Sequence, residues 1–289
     1  MKILLCGKSG QIAHELQLSL AAHCSELVCL GRAEMDLLEP DTIRGQLRKH
    51  APDLIINAAG HTAVDLAESE PDLAMEANGT ACGVLAEEAA ALGAPLIQFS
   101  TDYVFDGAKA SPYTEEDTPL PLSAYGRSKL AGEQAIQAVG GQHLILRTSW
   151  VYSMHGRNFL LTMQRLLQER EELRVVDDQI GAPTWAGSIA QATLELIEQW
   201  QAGNRRWGVY HLTNQGETSW FGFASAIGEQ LKAAGKPCGR LVPIPSSEYP
   251  TPAKRPLNSR LDGRKLAQDW HVSLPDWRSA LAECLRQPR

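Results

Sequence analysis

Tyr125 and Lys129 stand four residues apart in LSAYGRSKLAGEQ (122–134). That spacing puts both side chains on one face of a helix. Together they suit the reduction of a carbonyl by a nicotinamide, in which hydride goes to carbon and a proton goes to oxygen. A phenol, with a free pKa near ~10, is a weak acid at neutral pH. A nearby ammonium favours the phenolate and is expected to lower that pKa. The lysine can also bond the nicotinamide ribose. Alone the pair is a weak signal, because tyrosine and lysine fall at this spacing on many solvated helices. Upstream residues strengthen it. STDYVFDG (100–107) supplies the Ser100 and Thr101 hydroxyls, which can bond a substrate carbonyl or the tyrosine. NAAGHTAVD (57–65) starts at the end of another apolar run.

The elements that must position these residues can be read from local pattern. KILLC (2–6), ELVCL (26–30), DLIIN (53–57), PLIQFS (95–100) and HLILRTS (143–149) are short apolar runs that read as buried strands. Helical patterns fall between them at 11–23, 41–52, 69–93 and 123–139. Pro52 stops the second and Gly93 the third. Alternating strands and helices imply an α/β fold, a Rossmann-type doubly wound parallel sheet with right-handed crossovers. Such folds bind ligands outside the carboxyl ends of their strands, and 57–65 and 100–107 both lie there. An NAD(P)-binding Rossmann domain is expected over 1–150 and a smaller substrate-binding domain over 151–289. Helices near 178–205 are expected to pack back on the first. Prolines cluster at 237–256, which reads as loop rather than core strand.

GKSGQIA (7–13) follows the first strand and opens a helix. It fits G-x-x-G-x-x-G/A with Ala13 in the third place. Gly7 and Gly10 let the backbone turn tightly and approach a pyrophosphate. The helix start offers free N–H groups and partial positive charge. A Walker A loop is excluded, since its first glycine would fall at Lys2. At the end of the second strand an acid would hold a ribose 2′-hydroxyl. LGRAEMDL (30–37) has Gly31 and Arg32 there, and an arginine suits a 2′-phosphate. NADPH is therefore expected, with NADH the alternative, and Asp36 and Leu37 under the adenine edge.

A formal net charge of −7 argues against general nucleic-acid binding. No apolar run approaches the ~20 residues of a membrane span, and ILLC is too short for a signal-peptide core. A cytoplasmic location is expected. The six cysteines form no C-x-x-C and read as small buried hydrophobes of a reducing compartment. No H-E-x-x-H occurs, and no metal site is expected from spacing.

With these pieces together, the chain resembles the extended short-chain dehydrogenase/reductase family, and within it the reductases of keto-sugar nucleotides. The matching stretches are LLCGKSGQIAHEL, NAAGHTAVDLAE, STDYVFDG, AYGRSKLAGE, LRTSWVY, DDQIGAPT and YPTPAKRPLNSRLD, from residue 4 to 262. The resemblance implies that Tyr125 is the proton donor, Lys129 its electrostatic partner and ribose anchor, and Thr101 the hydroxyl that tunes proton transfer. It implies that Gly7, Gly10, Gln11 and Ile12 line the pyrophosphate, and that Gly60, His61 and Thr62 line the cofactor further along. Asp102 and Trp150 would face the sugar. Lys254 and Arg255 would reach the nucleotide diphosphate.

The implied reaction is NAD(P)H-dependent reduction of the C4 keto group of dTDP-4-dehydro-β-L-rhamnose to dTDP-β-L-rhamnose, a precursor of surface polysaccharides. Two alternatives stand beside it. One is a non-catalytic NADP-binding regulator like the β subunit of methionine adenosyltransferase, which would need none of Thr101, Tyr125 and Lys129. The other is an epimerase or dehydratase on another nucleotide sugar. A dehydratase would want a glutamate where Tyr103 stands. Some family members are described as using Mg²⁺ held by acidic residues across a dimer. Glu15 stands at one such position, but Gly187 and Ser188 carry no acid at the others. Mg²⁺ dependence and a homodimer are left as open alternatives.

Overall fold

The computed structural model describes residues 1–287. The first half runs β1 (Lys2–Cys6), α1 (Gln11–Leu20), β2 (Glu26–Leu30), α2 (Pro40–His50), β3 (Leu54–Asn57), α3 (Pro71–Met75), α4 (Ala81–Leu92), β4 (Leu96–Thr101), α5 (Ala124–Val139) and β5 (His143–Thr148). The second half adds β6 (Val151–Tyr152), α6 (Phe159–Glu169), β7 (Glu172–Val176), β8 (Ile180–Gly181), β9 (Thr184–Trp185), α7 (Ala186–Gln201), β10 (Gly208–His211), β11 (Thr218–Ser219), α8 (Trp220–Ala233), β12 (Arg240–Ile244), α9 (Arg264–Trp270) and α10 (Trp277–Arg286).

The main sheet has the order β10-β5-β4-β3-β1-β2, and every pairing in it is parallel. Its central strands are buried and largely apolar because helices cover both faces. Ile3 and Leu5 point to one face, where α1 and α7 lie; Leu4 and Cys6 point to the other, against α2 and α4. The alternation is the period of two that a pleated strand dictates. From β1 the chain steps outward to β2, then returns to form β3 on the other side of β1. That reversal opens a crevice beyond the carboxyl ends of β1 and β3, where doubly wound sheets take their ligands.

The main core also draws on the second half. Ile189, Ala190 and Leu196 of α7 pack with Leu16 and Leu20 of α1, while Trp270 and Val272 close the same cluster near Tyr210 of β10. β10 is not announced by the sequence, because GVYH opens on glycine, ends on histidine and forms no apolar run. A separate cluster around Tyr152, Phe223, Trp277 and Leu281 forms the core of the remaining elements. The proline-rich stretch is not all loop. β12 contains Pro243 and pairs with β7 alone, so it is an edge strand, where a residue without an N–H is tolerated.

The 69–93 stretch is not one helix. Pro71 opens α3, a π-helical turn spans Glu76–Thr80, and α4 follows to a left-handed cap at Gly93. The π turn carries Asn78 and presses against α5. A Cβ on Gly132 of α5 would lie 2.1 Å from the Asn78 carbonyl oxygen. Gly132→Ala is therefore expected to destabilise the protein by about 1–3 kcal/mol, as overpacking does. Gly45 in α2 has no neighbour within 4 Å of such a Cβ. Gly45→Ala is expected to stabilise by about 0.5–1 kcal/mol through the reduced entropy of the unfolded chain. Urea titration of both variants checks the opposite signs; a stability change of the same sign in both would refute the packing argument.

Candidate active site

The glycine turn after β1 is forced by geometry. Gly7 has φ +102°, and a Cβ there would sit 3.2 Å from the Ala58 carbonyl carbon. Only glycine holds that turn without strain. Gly10 is the N-cap of α1 and supplies no side-chain cap, so the first N–H groups of the helix stay free. A cavity of about 370 Å³ lies against this turn. Gly7, Gly10, Arg32, Asp36, Leu37, Gly60, His61 and Thr62 all line it. Gln11 and Ile12 do not. Gln11 Oε1 accepts hydrogen bonds from Asn158 Nδ2 (2.8 Å) and Ser153 Oγ (3.3 Å), which ties α1 to the segment after β6. Ile12 packs on the main core. As the first two residues of α1, they can offer a pyrophosphate only their backbone N–H groups.

Arg32 and Asp36 form an ion pair at 3.1 Å on the rim of this cavity. The Asp36 carboxyl is held low by the Leu38 backbone N–H first and by Arg32 next. The loop after β3 is held by a residue the sequence did not announce. Asn78 Oδ1 accepts from the His61 N–H (2.8 Å), and Asn78 Nδ2 donates to the His61 carbonyl (2.9 Å) and to Ser128 Oγ (3.0 Å). One amide thus joins the loop after β3 to the helix that carries Tyr125 and Lys129. Gly60 is needed beside it, since a Cβ there would lie 2.6 Å from Asn78 Oδ1.

Ser123 caps α5 by accepting from the Gly126 N–H at 3.1 Å. Tyr125 is then in the first turn and Lys129 one turn on. Lys129 is buried, and its Nζ donates to the Phe99 carbonyl at 2.7 Å. Burial pulls its ammonium down, opposed by Cys82 and by Glu133. The expected lowering of the Tyr125 phenol is reversed in this structure. Burial pushes it up to about 12, a hydrogen bond with Thr101 opposes the rise, and Lys129 is turned toward Phe99. The physical reason is that desolvation outweighs a charge that is not aimed at the phenol. A neutral phenol still suits the task, because a proton donor must arrive protonated.

Thr101 and Ser100 part company. Thr101 Oγ1 accepts from the Tyr103 N–H at 3.2 Å and donates to Asp102 Oδ1 at 3.0 Å, beside Tyr125. Ser100 turns the other way, donating to Glu133 Oε1 at 2.5 Å, and so is unavailable to a substrate carbonyl. Glu133 in turn is paired with Arg147 of β5 at 2.6 Å, both buried. Asp102 is buried rather than open to the cleft, and burial pushes its carboxyl up to about 6. Trp150 follows β5 in a left-handed conformation, φ +47°, and stacks on Trp220 with ring centroids 3.6 Å apart. A non-glycine residue in that region marks backbone strain, which gathers at functional sites. Arg255 is held by Asp65, whose carboxylate accepts from its guanidinium at 2.8 and 3.1 Å. That pair fastens the proline-rich segment to the loop after β3. Lys254 is exposed.

Glu15 is buried in the groove between α1 and α7, with Oε1 lacking a partner, and Gly187 and Ser188 line the same groove. A carboxylate opposite a hydroxyl and a bare glycine is a poor donor set for Mg²⁺. Among the described residues, no three His, Cys, Asp or Glu side chains gather closely enough to hold a metal ion. No helix there is long and apolar enough to cross a membrane. Cys6, Cys82 and Cys284 are buried, the other three cysteines partly so, and all six are free thiols.

A tyrosine, a lysine one turn later and a threonine at the neighbouring strand end, together with a cavity cradled by glycines at the carboxyl ends of the strands, are the arrangement expected of a short-chain dehydrogenase/reductase. The family model described as "RmlD substrate binding domain" matches residues 1–289, and the chain belongs to that family. It is 47% identical to a dTDP-4-dehydrorhamnose reductase of Burkholderia thailandensis, over 99% of this chain and 98% of that protein. It is 43% identical to the dTDP-4-dehydrorhamnose reductase of Escherichia coli K12, again over 99% and 98%. Among solved structures it is similar to a dTDP-4-dehydrorhamnose reductase of Bacillus anthracis in complex with NADP. That match has a TM-score of 0.92 at 33% identity and covers 98% of each chain.

Proposed function

We propose that the protein is a dTDP-4-dehydrorhamnose reductase that uses NADPH to reduce the C4 keto group of dTDP-4-dehydro-β-L-rhamnose. The observation that carries this reading is the meeting of Tyr125, Lys129 and Thr101 at the carboxyl edge of β4, in a chain alike over its full length to reductases of that name. NADPH, when bound, supplies the hydride. The cavity fits it: Gly7 leaves the room a pyrophosphate needs, and the first turn of α1 offers N–H donors. Tyr125 gives its proton to the carbonyl oxygen as that oxygen takes up the electron pair of the C=O bond. Lys129, released from Phe99, is the group that would hold the ribose and steady the phenolate left behind. Trp150 and Arg255 are the groups that would contact the sugar and the diphosphate.

The test is NADPH absorbance decay with dTDP-4-dehydrorhamnose. Turnover supports the reading; binding of NADPH without turnover would overturn it in favour of a regulator. The cofactor preference has its own check. Arg32 is mostly exposed and pairs with Asp36, so it is available to a 2′-phosphate. Arg32→Ala is expected to raise KM for NADPH by about tenfold, one charged hydrogen bond. KM for NADH should not move. Equal effects on both cofactors would remove Arg32 from the 2′-phosphate.

A further inference from the structure

The acid that a dinucleotide site places at the end of its second strand is missing from the sequence, where Gly31 stands. The fold returns one to the same place. After β2 the chain closes a turn in which the Glu34 and Met35 N–H groups donate to the Gly31 carbonyl at 3.1 and 2.9 Å. Met35 is buried in the core, and Gln46 Nε2 donates to the Glu34 carbonyl at 3.0 Å, so the turn is pinned at two points. The Glu34 side chain folds back. Its Oε2 accepts from the Gly31 N–H at 2.9 Å, and its Oε1 faces Lys8 Nζ at 3.4 Å. A Cβ at position 31 would lie 3.1 Å from that Oε2. Glycine at 31 thus leaves the room that the Glu34 carboxylate takes.

Gly31 and Lys8 line the same cavity as Gly7 and Arg32. Two cations and two carboxylates therefore meet at its edge, in the pairs Lys8–Glu34 and Arg32–Asp36. The two acids are not alike. Each oxygen of Asp36 has a good partner, Oδ1 the Leu38 N–H at 3.0 Å and Oδ2 the Arg32 Nε at 3.1 Å. Among the described residues, Glu34 Oε1 has only the long contact to an exposed lysine, so it can take a further donor. A ribose 2′-hydroxyl is such a donor. A 2′-phosphate is an acceptor with negative charge, and the donors it needs, the Gly31 N–H and the Lys8 ammonium, are the ones that Glu34 holds.

We propose that Glu34 sets the choice of nicotinamide cofactor: it accepts the 2′-hydroxyl of NADH, and it opposes the 2′-phosphate of NADPH until it yields Lys8 to it. The inference deepens the cofactor reading above and rests on it. Lys8 becomes the second cation for the 2′-phosphate, alongside Arg32. The glycine turn after β1 thereby takes part in selecting the cofactor as well as in cradling its pyrophosphate.

The experiment measures Kd for NADPH and for NADH by calorimetry in the wild type and three variants, at low ionic strength, where exposed charges act most strongly. Glu34→Ala should tighten NADPH by about tenfold, as a like charge is removed, and weaken NADH by about tenfold, as a charged hydrogen bond is lost. Glu34→Gln keeps an acceptor and drops the charge. It should gain NADPH affinity as the alanine variant does and lose less of its NADH affinity. Lys8→Met should weaken NADPH by about tenfold and leave NADH within about threefold. Equal shifts for both cofactors in Glu34→Ala would overturn the inference, because Glu34 would then only shape the turn. So would shifts of less than about twofold in both, the mark of a surface ion pair and nothing more. Weaker NADPH binding in that variant would overturn it as well. The assay needs no keto sugar, so a wild type that binds both cofactors and reduces nothing overturns the reductase reading alone. One that binds neither overturns the cofactor site and this inference with it.

Discussion

Tyr125→Phe is expected to lower kcat by about 10²–10⁴-fold, the range for loss of a positioned general acid, while NADPH binds as before. The change removes one oxygen and little else. The ring keeps its edge contact with Tyr103, 5.7 Å between centroids, and its packing on Ala67, Ala74 and Ala124. Lys129 bonds the Phe99 carbonyl and not the phenol, so the group expected to hold the ribose is undisturbed. The loss should therefore fall on kcat, with the cofactor affinity unchanged in a fluorescence titration. Retention of more than a tenth of the wild-type kcat would mean that water or Thr101 delivers the proton, and the role assigned to Tyr125 would fall.

Glu133→Ala carries the second large effect, on stability. Among the described residues, Glu133 is the only carboxylate that Arg147 is paired with, and both lie deep between α5 and the sheet. Arg147 Nη1 already lacks a partner, and its guanidinium lies over the Phe105 ring at 5.1 Å. Removal of Glu133 would leave that charge buried and unpaired, at a cost of about 3–5 kcal/mol. Ser100 would lose its acceptor as well. A joint change, Glu133→Leu with Arg147→Met, should recover most of the loss, because two apolar side chains leave no stranded charge. Urea denaturation of the single and double variants measures both. A single variant within about 1 kcal/mol of the wild type would show that water reaches Arg147 and that the pair is not dry.

Local spacing made a large part of this molecule legible. The five apolar runs became β1 to β5, with ends shifted by a residue at most. The Gly7 turn, the Arg32 rim and the Tyr125–Lys129 turn all followed from residues a few positions apart. What stayed hidden depends on residues far apart in the chain. Nothing near Asp65 announces Arg255, and nothing near Ser100 announces that Glu133 will claim its hydroxyl. The Asn78 clamp depends on a π turn inside an alanine-rich stretch whose period reads as plain helix. The direction of the Tyr125 shift is hidden for a related reason. Spacing says that a lysine is near, whereas its aim and its dryness are tertiary facts.

The return of the chain to the main sheet, described above, bears on how this protein can be taken apart. β10 completes the sheet beside β5, α7 covers α1, and Trp270 and Val272 close the layer beneath. A fragment ending near residue 150 would carry the glycine turn and the tyrosine yet leave one flank of its sheet bare. The first half is thus not a cassette that can be lifted out by a single cut. Any transplant of it into another reductase must bring two later stretches, near 186–212 and 264–274, along with it.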